Sequence, residues 1–252
     1  MNVLAIYTAE PGICVAAEGP RGSFLLAAKG RQQQAEEILP FLETAAEKAG
    51  FALQETQLVT AAEGPGSFTG LRLAYSAAKA VQFSSRCPFL PVPTFSAWAH
   101  SLQDIPDPLF CVLDAKKKRF YGQFFISGEA VSGVLDLTPE EAAGKLHEVL
   151  GTAAADSPDA SAGRTVVLTA EHGKTLYTSG AFLPAWESLQ NSVPEMHRRP
   201  VQFRFAPVHC GGIFSIIALS KQRFTRYTFS EADFAIGPAY IRKSDAETAY
   251  EG

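Results

Sequence analysis

Gly64-Pro65-Gly66-Ser67-Phe68-Thr69-Gly70, running straight into Leu71-Arg72-Leu73-Ala74-Tyr75-Ser76-Ala77-Ala78-Lys79-Ala80-Val81, is the stretch on which the reading of this chain turns. Leu58, Val59, Ala61 and Ala62 lead into it as an apolar run, and a helical pattern leaves it. A glycine-dense turn between a strand and a helix lets backbone approach closely and leaves a helix N-terminus bare. Either an anion sits on those amides, or protein packs against the turn and its helix. Spacing removes three phosphate or nucleophile loops. A Walker A loop needs Lys-Ser/Thr after its last glycine, and Leu71-Arg72 stands there. A dinucleotide fingerprint needs glycine at the sixth position, which is Thr69. A nucleophile elbow needs Gly-x-Ser, whereas Ser67 directly follows Gly66. What remains is a turn with Ser67 or Thr69 as helix cap.

The helix after the turn carries Gly70, Ala74 and Ala78 four apart, hence in one row. Small residues in a row admit a second helix at close range, either the protein's own or a partner's.

Outward from the turn, 2–7, 12–18 and 23–28 are short apolar runs split by Glu10-Pro11-Gly12 and Gly19-Pro20-Arg21-Gly22, which predicts an antiparallel meander. Residues 32–49 place Ala35, Ile38, Leu39, Leu42, Ala45, Ala46 and Ala49 at helical spacing, with Gly50 as C-cap. A strand at 57–62, a helix over 70–84 and a strand near 88–92 follow. The same plan is expected again at 109–113, 120–126 and 131–135 as strands, then a helix from Thr138-Pro139-Glu140-Glu141 to Leu150. A flexible loop at 151–163, a strand at 166–168 and a last helix over 207–224 complete it. Pro91, Pro93, Pro106 and Pro108 mark a boundary, giving domains 1–105 and 106–252. A duplicated meander with alternating helices and strands is the α/β plan of the actin/sugar kinase/Hsp70 superfamily, related to RNase H; it predicts two mixed sheets flanked by helices and leaves function open.

Composition narrows the class. The chain has 252 residues, 46% apolar and 19% charged, with a net charge of −4. That predicts a well-buried core and argues against a surface built wholly for nucleic acid. The amino terminus does not read as a signal peptide, no run approaches the ~20 apolar residues of a membrane span, and a cytoplasmic protein with no membrane contact is expected. Cys14, Cys87, Cys111 and Cys210 are far apart and read as buried thiols. The histidines are never closer than twelve positions, so no metal pair is spelled out. Asp114-Ala115-Lys116-Lys117-Lys118-Arg119 is a basic hairpin, read as a solvated turn or, through Lys116, Lys117, Lys118 and Arg119, as a candidate contact to nucleic-acid phosphates.

The run from Gly64 to Leu73 closely resembles the signature of the TsaB family, also called YeaZ, bacterial proteins of threonylcarbamoyladenosine synthesis on tRNA. Leu4-Ala5-Ile6 with Thr8, Ile38-Leu39-Pro40, Pro93-Thr94, Leu113-Asp114-Ala115 with Phe120-Tyr121, and Pro238-Ala239-Tyr240-Ile241-Arg242 are similar to further family motifs in the same order. Tyr7 stands where the family usually has aspartate, and Gln34 where it has histidine. The resemblance implies a non-catalytic subunit without cofactor or metal, which pairs with the catalytic subunit TsaD, is joined by the ATPase TsaE, and meets tRNA through the complex. It also implies that first-domain helices make the contact, by Gly70, Leu71, Leu73, Ala74, Ala77, Ala78, Val81, Ile38 and Leu42. Two alternatives stand beside this: a free-standing phosphotransferase or peptidase-like hydrolase of the superfamily, and a homodimer formed through the same helix.

Overall fold

The structure, a computed structural model, describes residues 1–9, 12–28, 34–105, 107–152, 164–171, 175–192, 201–208, 210–227 and 235–241. They divide into two compact units, Met1–Ala97 with Cys210–Gly252, and Trp98–His209.

In the first unit β1 (Val3–Tyr7), β2 (Ile13–Gly19) and β3 (Gly22–Ala28) form the expected antiparallel meander. β4 (Leu58–Ala61) joins β1 in parallel on its free side, so the order is β3-β2-β1-β4. The segment expected as a strand near 88–92 extends the sheet by two parallel bridges, Val59 to Phe89 and Ala62 to Val92. β1 is buried along its whole length. A two-residue period sends Leu4 and Ile6 to one face and Val3, Ala5 and Tyr7 to the other, and both faces must be covered. Leu4 and Ile6 pack with α1 (Gln34–Ala49) and α2 (Phe68–Ser85), through Ile38, Leu42, Ala46, Ala74, Tyr75 and Ala78. Val3, Ala5 and Tyr7 pack with α6 (Ile213–Phe224), through Ile213, Ile216 and Ile217.

That second layer corrects the expected boundary. Residues 210–252 were expected in the second domain, yet the first unit needs α6 to cover β1, and they belong to it. The helix expected over 207–224 is also shorter. Pro207 and Val208 end β10 (Val201–Val208), which among the described residues pairs with β9 (Arg164–Glu171) alone, and Gly212 with φ of 64° precedes the first turn at Ile213. An edge position is where a sheet tolerates proline.

The second unit repeats the plan. β5 (Leu109–Lys116) and β6 (Arg119–Ile126) are antiparallel. The expected strand 131–135 is instead two short ones on β6, β7 (Glu129–Ala130) and β8 (Leu135–Leu137). Ser132 separates them: its hydroxyl accepts from the Phe124 amide and its carbonyl accepts from Gln123 Nε2. α4 (Pro139–Thr152) opens with a capping box, the Thr138 amide donating to Glu141 Oε2 at 2.7 Å and the Glu141 amide to Thr138 Oγ1 at 3.2 Å. β9 (Arg164–Glu171) then adds in parallel to β5, and β10 in parallel to β9. α5 (Thr175–Ser192), α3 (Thr94–Ser101) and β10 had no counterpart in the sequence expectation. Of the loop expected at 151–163, residues 153–163 lie outside the described residues. In both units a first strand carries an antiparallel neighbour on one side and a parallel one on the other, the duplicated α/β arrangement the sequence predicts.

Candidate functional site

The turn begins where β4 ends. Its first bond, Gly64–Pro65, is cis, and Gly64 has φ of 127°. A Cβ on Gly64 would stand 2.6 Å from the Ala239 carbonyl oxygen, and one on Gly66 would stand 2.5 Å from Ala9 Cβ. A Cβ on Gly70 would overlap the Thr8 carbonyl oxygen. The three glycines are therefore present because backbone fills the space on their far side. Hydrogen bonds close the same gaps. The Ser67 amide donates to Ala9 O at 2.5 Å, Thr8 Oγ1 donates to Gly70 O at 2.6 Å, and the Thr94 amide donates to Gly64 O at 2.9 Å. Ser67 is the helix N-cap, accepting from the Gly70 amide at 3.4 Å, while the Leu71 amide donates to Ser67 O. The amides of Ser67, Gly70 and Leu71 are thus spent within the fold, which weighs against an anion on this turn.

The carboxyl-terminal motif is part of the same site. The Ala239 amide donates to Glu63 O at 3.0 Å. The Tyr240 ring lies 4.9 Å from that of Phe68, and Arg72 places its guanidinium 3.9 Å from the Phe68 centroid while donating Nε–H to Tyr240 Oη at 3.1 Å. Two motifs separated by most of the chain form one clasp; spacing alone gave no sign of it. Arg242, the last residue of that motif, lies outside the described residues. Behind the clasp burial raises the Glu63 carboxyl above its ordinary value, with Arg223 opposing. Burial, and next the negative charge of Glu63, raise the Tyr75 phenol as well.

The row Gly70, Ala74 and Ala78 faces inward. Leu71, Ala77, Val81, Ile38 and Leu42 are buried with it, so of the nine expected contact residues Leu73 alone is half exposed. The small row lets α2 sit close to β1 of its own sheet, and not against a second helix. What α2 shows outward is a different stripe, Thr69, Arg72, Ser76, Ala80 and Phe83, with Leu73 at its margin. Phe83 is 79% exposed, an unusual position for a large aromatic ring. On α1, Leu39 is exposed too, although its spacing fits the buried pattern.

Tyr7 and its hydroxyl sit in the core at the end of β1. Gln34 opens α1. In the second unit Lys116, Lys117 and Lys118 are exposed at the β5–β6 tip, whereas Arg119 is tied to Asp136 at 2.8 Å and Glu141 at 3.2 Å. No group of three or more His, Cys, Asp or Glu that could hold a metal ion is found among the described residues.

These features define a duplicated α/β chain whose most distinctive motif is a close-packed clasp presenting the outer face of one helix. A family model described as "TsaD: tRNA N6-adenosine threonylcarbamoyltransferase" matches residues 27–250, and the chain belongs to that family. Among curated proteins it is similar to the tRNA threonylcarbamoyladenosine biosynthesis protein TsaB of Haemophilus influenzae, 25% identical over 125 residues, which is 44% of this chain and 52% of the relative. The match thus spans about half the length of that relative. Among solved structures it resembles YeaZ from Pseudomonas aeruginosa, with a TM-score of 0.63, 20% identity, and coverage of 95% of this chain and 99% of the other. A second Pseudomonas aeruginosa structure, described as similar to the peptidase YEAZ, gives a TM-score of 0.65 at 19% identity, covering 96% and 99%. At these identities the likeness to YeaZ is one of fold.

Proposed function

We propose that the chain is a non-catalytic subunit in threonylcarbamoyladenosine synthesis on tRNA, pairing with TsaD and acting in a complex that TsaE joins. The outward stripe of α2 carries the reading. Phe83, Ala80 and Leu73 expose apolar surface along one helix, and Arg72 is held at its end by Phe68 and Tyr240. Aromatic side chains, phenylalanine among them, are enriched at protein interfaces relative to the rest of the surface. Tyr7 supports the absence of phosphoryl chemistry: a buried phenol lies at the end of β1, where the resemblance implies an aspartate and where Mg²⁺ would need a carboxylate. Such a role places the protein in the cytoplasm. No helix among the described residues is long and apolar enough to cross a membrane.

Capture of purified TsaD on the immobilised chain tests this. The natural chain retains TsaD; Phe83→Asp and Leu73→Glu each weaken capture at least tenfold, an effect of the size expected for an anchor residue, with melting temperature unchanged. Equal capture by all three proteins removes the stripe from the interface. Sedimentation of the chain alone reports whether the stripe holds a second copy instead. Stoichiometric binding of ATP with Mg²⁺ to the isolated chain would favour a free-standing enzyme.

A further inference from the structure

α2 is a cationic helix on an acidic chain. Its 18 residues include Arg72 and Lys79 and no aspartate or glutamate, while the whole chain carries 26 acidic against 22 basic residues. Seven residues are two helical turns, so Arg72 and Lys79 share one edge of the outward stripe, about 10.5 Å apart along the axis. Leu73 marks the other edge, and Ser76, Ala80 and Phe83 lie between them. Arg86, the C-cap, is cationic too, but a helix C-terminus favours a cation on its own account.

Arg72 is held in one posture. Its guanidinium lies 3.9 Å from the Phe68 centroid and 5.9 Å from that of Tyr240, and its Nε–H is taken by Tyr240 Oη at 3.1 Å. These contacts fix a side chain whose rotamer freedom would otherwise be lost on docking. Its Nη1 and Nη2 edge forms no hydrogen bond or ion pair among the described residues, and neither does Lys79 Nζ. A guanidinium fork fixed end-on matches a carboxylate with two parallel hydrogen bonds. The surroundings choose among possible anions. A phosphate backbone is bound by many cations, and two beside Leu73, Ala80 and Phe83 are few and in apolar company. A bilayer needs a broad apolar face, and that of α2 is turned into its own core. A helix with an apolar seam and carboxylates along one edge matches both the cations and their neighbours.

We propose that the outer face of α2 docks a partner helix whose facing edge carries carboxylates two turns apart, Arg72 receiving one in a bidentate pair and Lys79 the other. Phe68 and Tyr240 are positioning residues for Arg72, so the carboxyl-terminal motif shapes the interface without having to touch the partner. This rests on the docking role given to the stripe above and adds the chemistry of what it docks.

Titration of the immobilised chain with purified TsaD at low and high salt tests this. At low salt Arg72→Gln weakens binding about tenfold, in the range of close interfacial charge pairs, and Lys79→Gln weakens it less. High salt weakens the natural complex more than that of the Arg72→Gln, Lys79→Gln double variant. Tyr240→Phe keeps the ring and removes the hydroxyl; it weakens binding about threefold in the natural chain and has no further effect beside Arg72→Gln, the non-additivity that positioning requires. Lys145→Gln, which removes a charge from the second unit, keeps the affinity. Carbodiimide joins a carboxylate to an amine in contact with it, and peptide mass spectrometry should find Lys79, and position 72 of the Arg72→Lys variant, linked to aspartate or glutamate of TsaD. TsaD bound equally by the natural chain and Arg72→Gln, or bound with neither cross-link, overturns the carboxylate pairing and leaves the docking role standing. An equal loss in Lys145→Gln overturns it as well. No binding of TsaD by the natural chain overturns both. Tighter binding of a transcribed transfer RNA or of phosphatidylserine vesicles than of TsaD, abolished by Arg72→Gln, overturns the proposal in favour of phosphate.

Discussion

The carbonyl oxygen of Thr8 occupies the space that a Cβ on Gly70 would need, and the hydroxyl of the same threonine donates to the Gly70 carbonyl at 2.6 Å. One residue at the end of β1 thus both excludes a side chain from α2 and ties the first turn of that helix down. Gly70→Ala should improve intrinsic helix propensity by about 1 kcal/mol. The clash with fixed backbone outweighs it, for a net loss of about 2 kcal/mol. Urea unfolding measures the balance, and a stabilised variant would show that the helix can move off the Thr8 carbonyl at little cost.

Gln82 gives a prediction of opposite sign. It is fully buried on α2, and neither Nε2 nor Oε1 has a hydrogen-bond partner among the described residues. Gln82→Met keeps the volume and removes the unsatisfied amide, so it should stabilise the chain by about 1 kcal/mol. A melting curve decides it.

Glu63 sets a pH dependence. Its folded carboxyl titrates above the ordinary 4.5 because burial disfavours the charge, with Arg223 partly compensating. The native state therefore holds this proton more tightly than the unfolded chain. Its contribution to stability is complete below the ordinary value and is lost as pH rises through the raised one. Glu63→Gln should stabilise the chain at pH 7, with the gain vanishing near pH 4 because the natural carboxyl is then protonated. Unfolding curves at the two pH values show whether the difference has that sign.

The thiols should label in order of exposure. Cys14, Cys87 and Cys111 are buried, and burial pushes the Cys87 thiol up to about 11 and Cys111 further. Cys210 is half exposed. Iodoacetamide at pH 8 followed by peptide mass spectrometry should find Cys210 modified first, with the others reacting only on unfolding. Early labelling of Cys87 would contradict the burial of the segment that bridges to β4.

The parts legible in the sequence were those where one period served one environment. The meander of β1 to β3, the capped starts of α2 and α4 and the parallel return of β4 all follow from short apolar runs, Gly/Pro punctuation and cap residues. The small row on α2 was visible, but a row of Gly and Ala suits a partner helix as well as the protein's own sheet. The deciding object, the Thr8 carbonyl, lies more than sixty residues away. Leu39 fits the helical period and still faces solvent, since hydrophobic spacing cannot say how wide the covered face is. Val201, Phe203 and Phe205 alternate and could have announced β10; the apolar run through Pro207 concealed where strand ends and helix begins. The β5–β6 hairpin was legible from the apolar runs on either side, but the positive φ of its turn was not, because lysine stands where Asn or Gly would have signalled it.

The assignment of α6 and Ala239 to the first unit has a consequence for synthesis. Residues 98–209 are contiguous and can close as soon as they leave the ribosome. The first sheet, although translated earlier, keeps one face of β1 bare until Ile213, Ile216 and Ile217 emerge, and its glycine turn unlatched until Ala239 follows. The order of folding along the nascent chain is therefore the reverse of the order of translation. The segment made first keeps one apolar face uncovered until the chain is nearly complete.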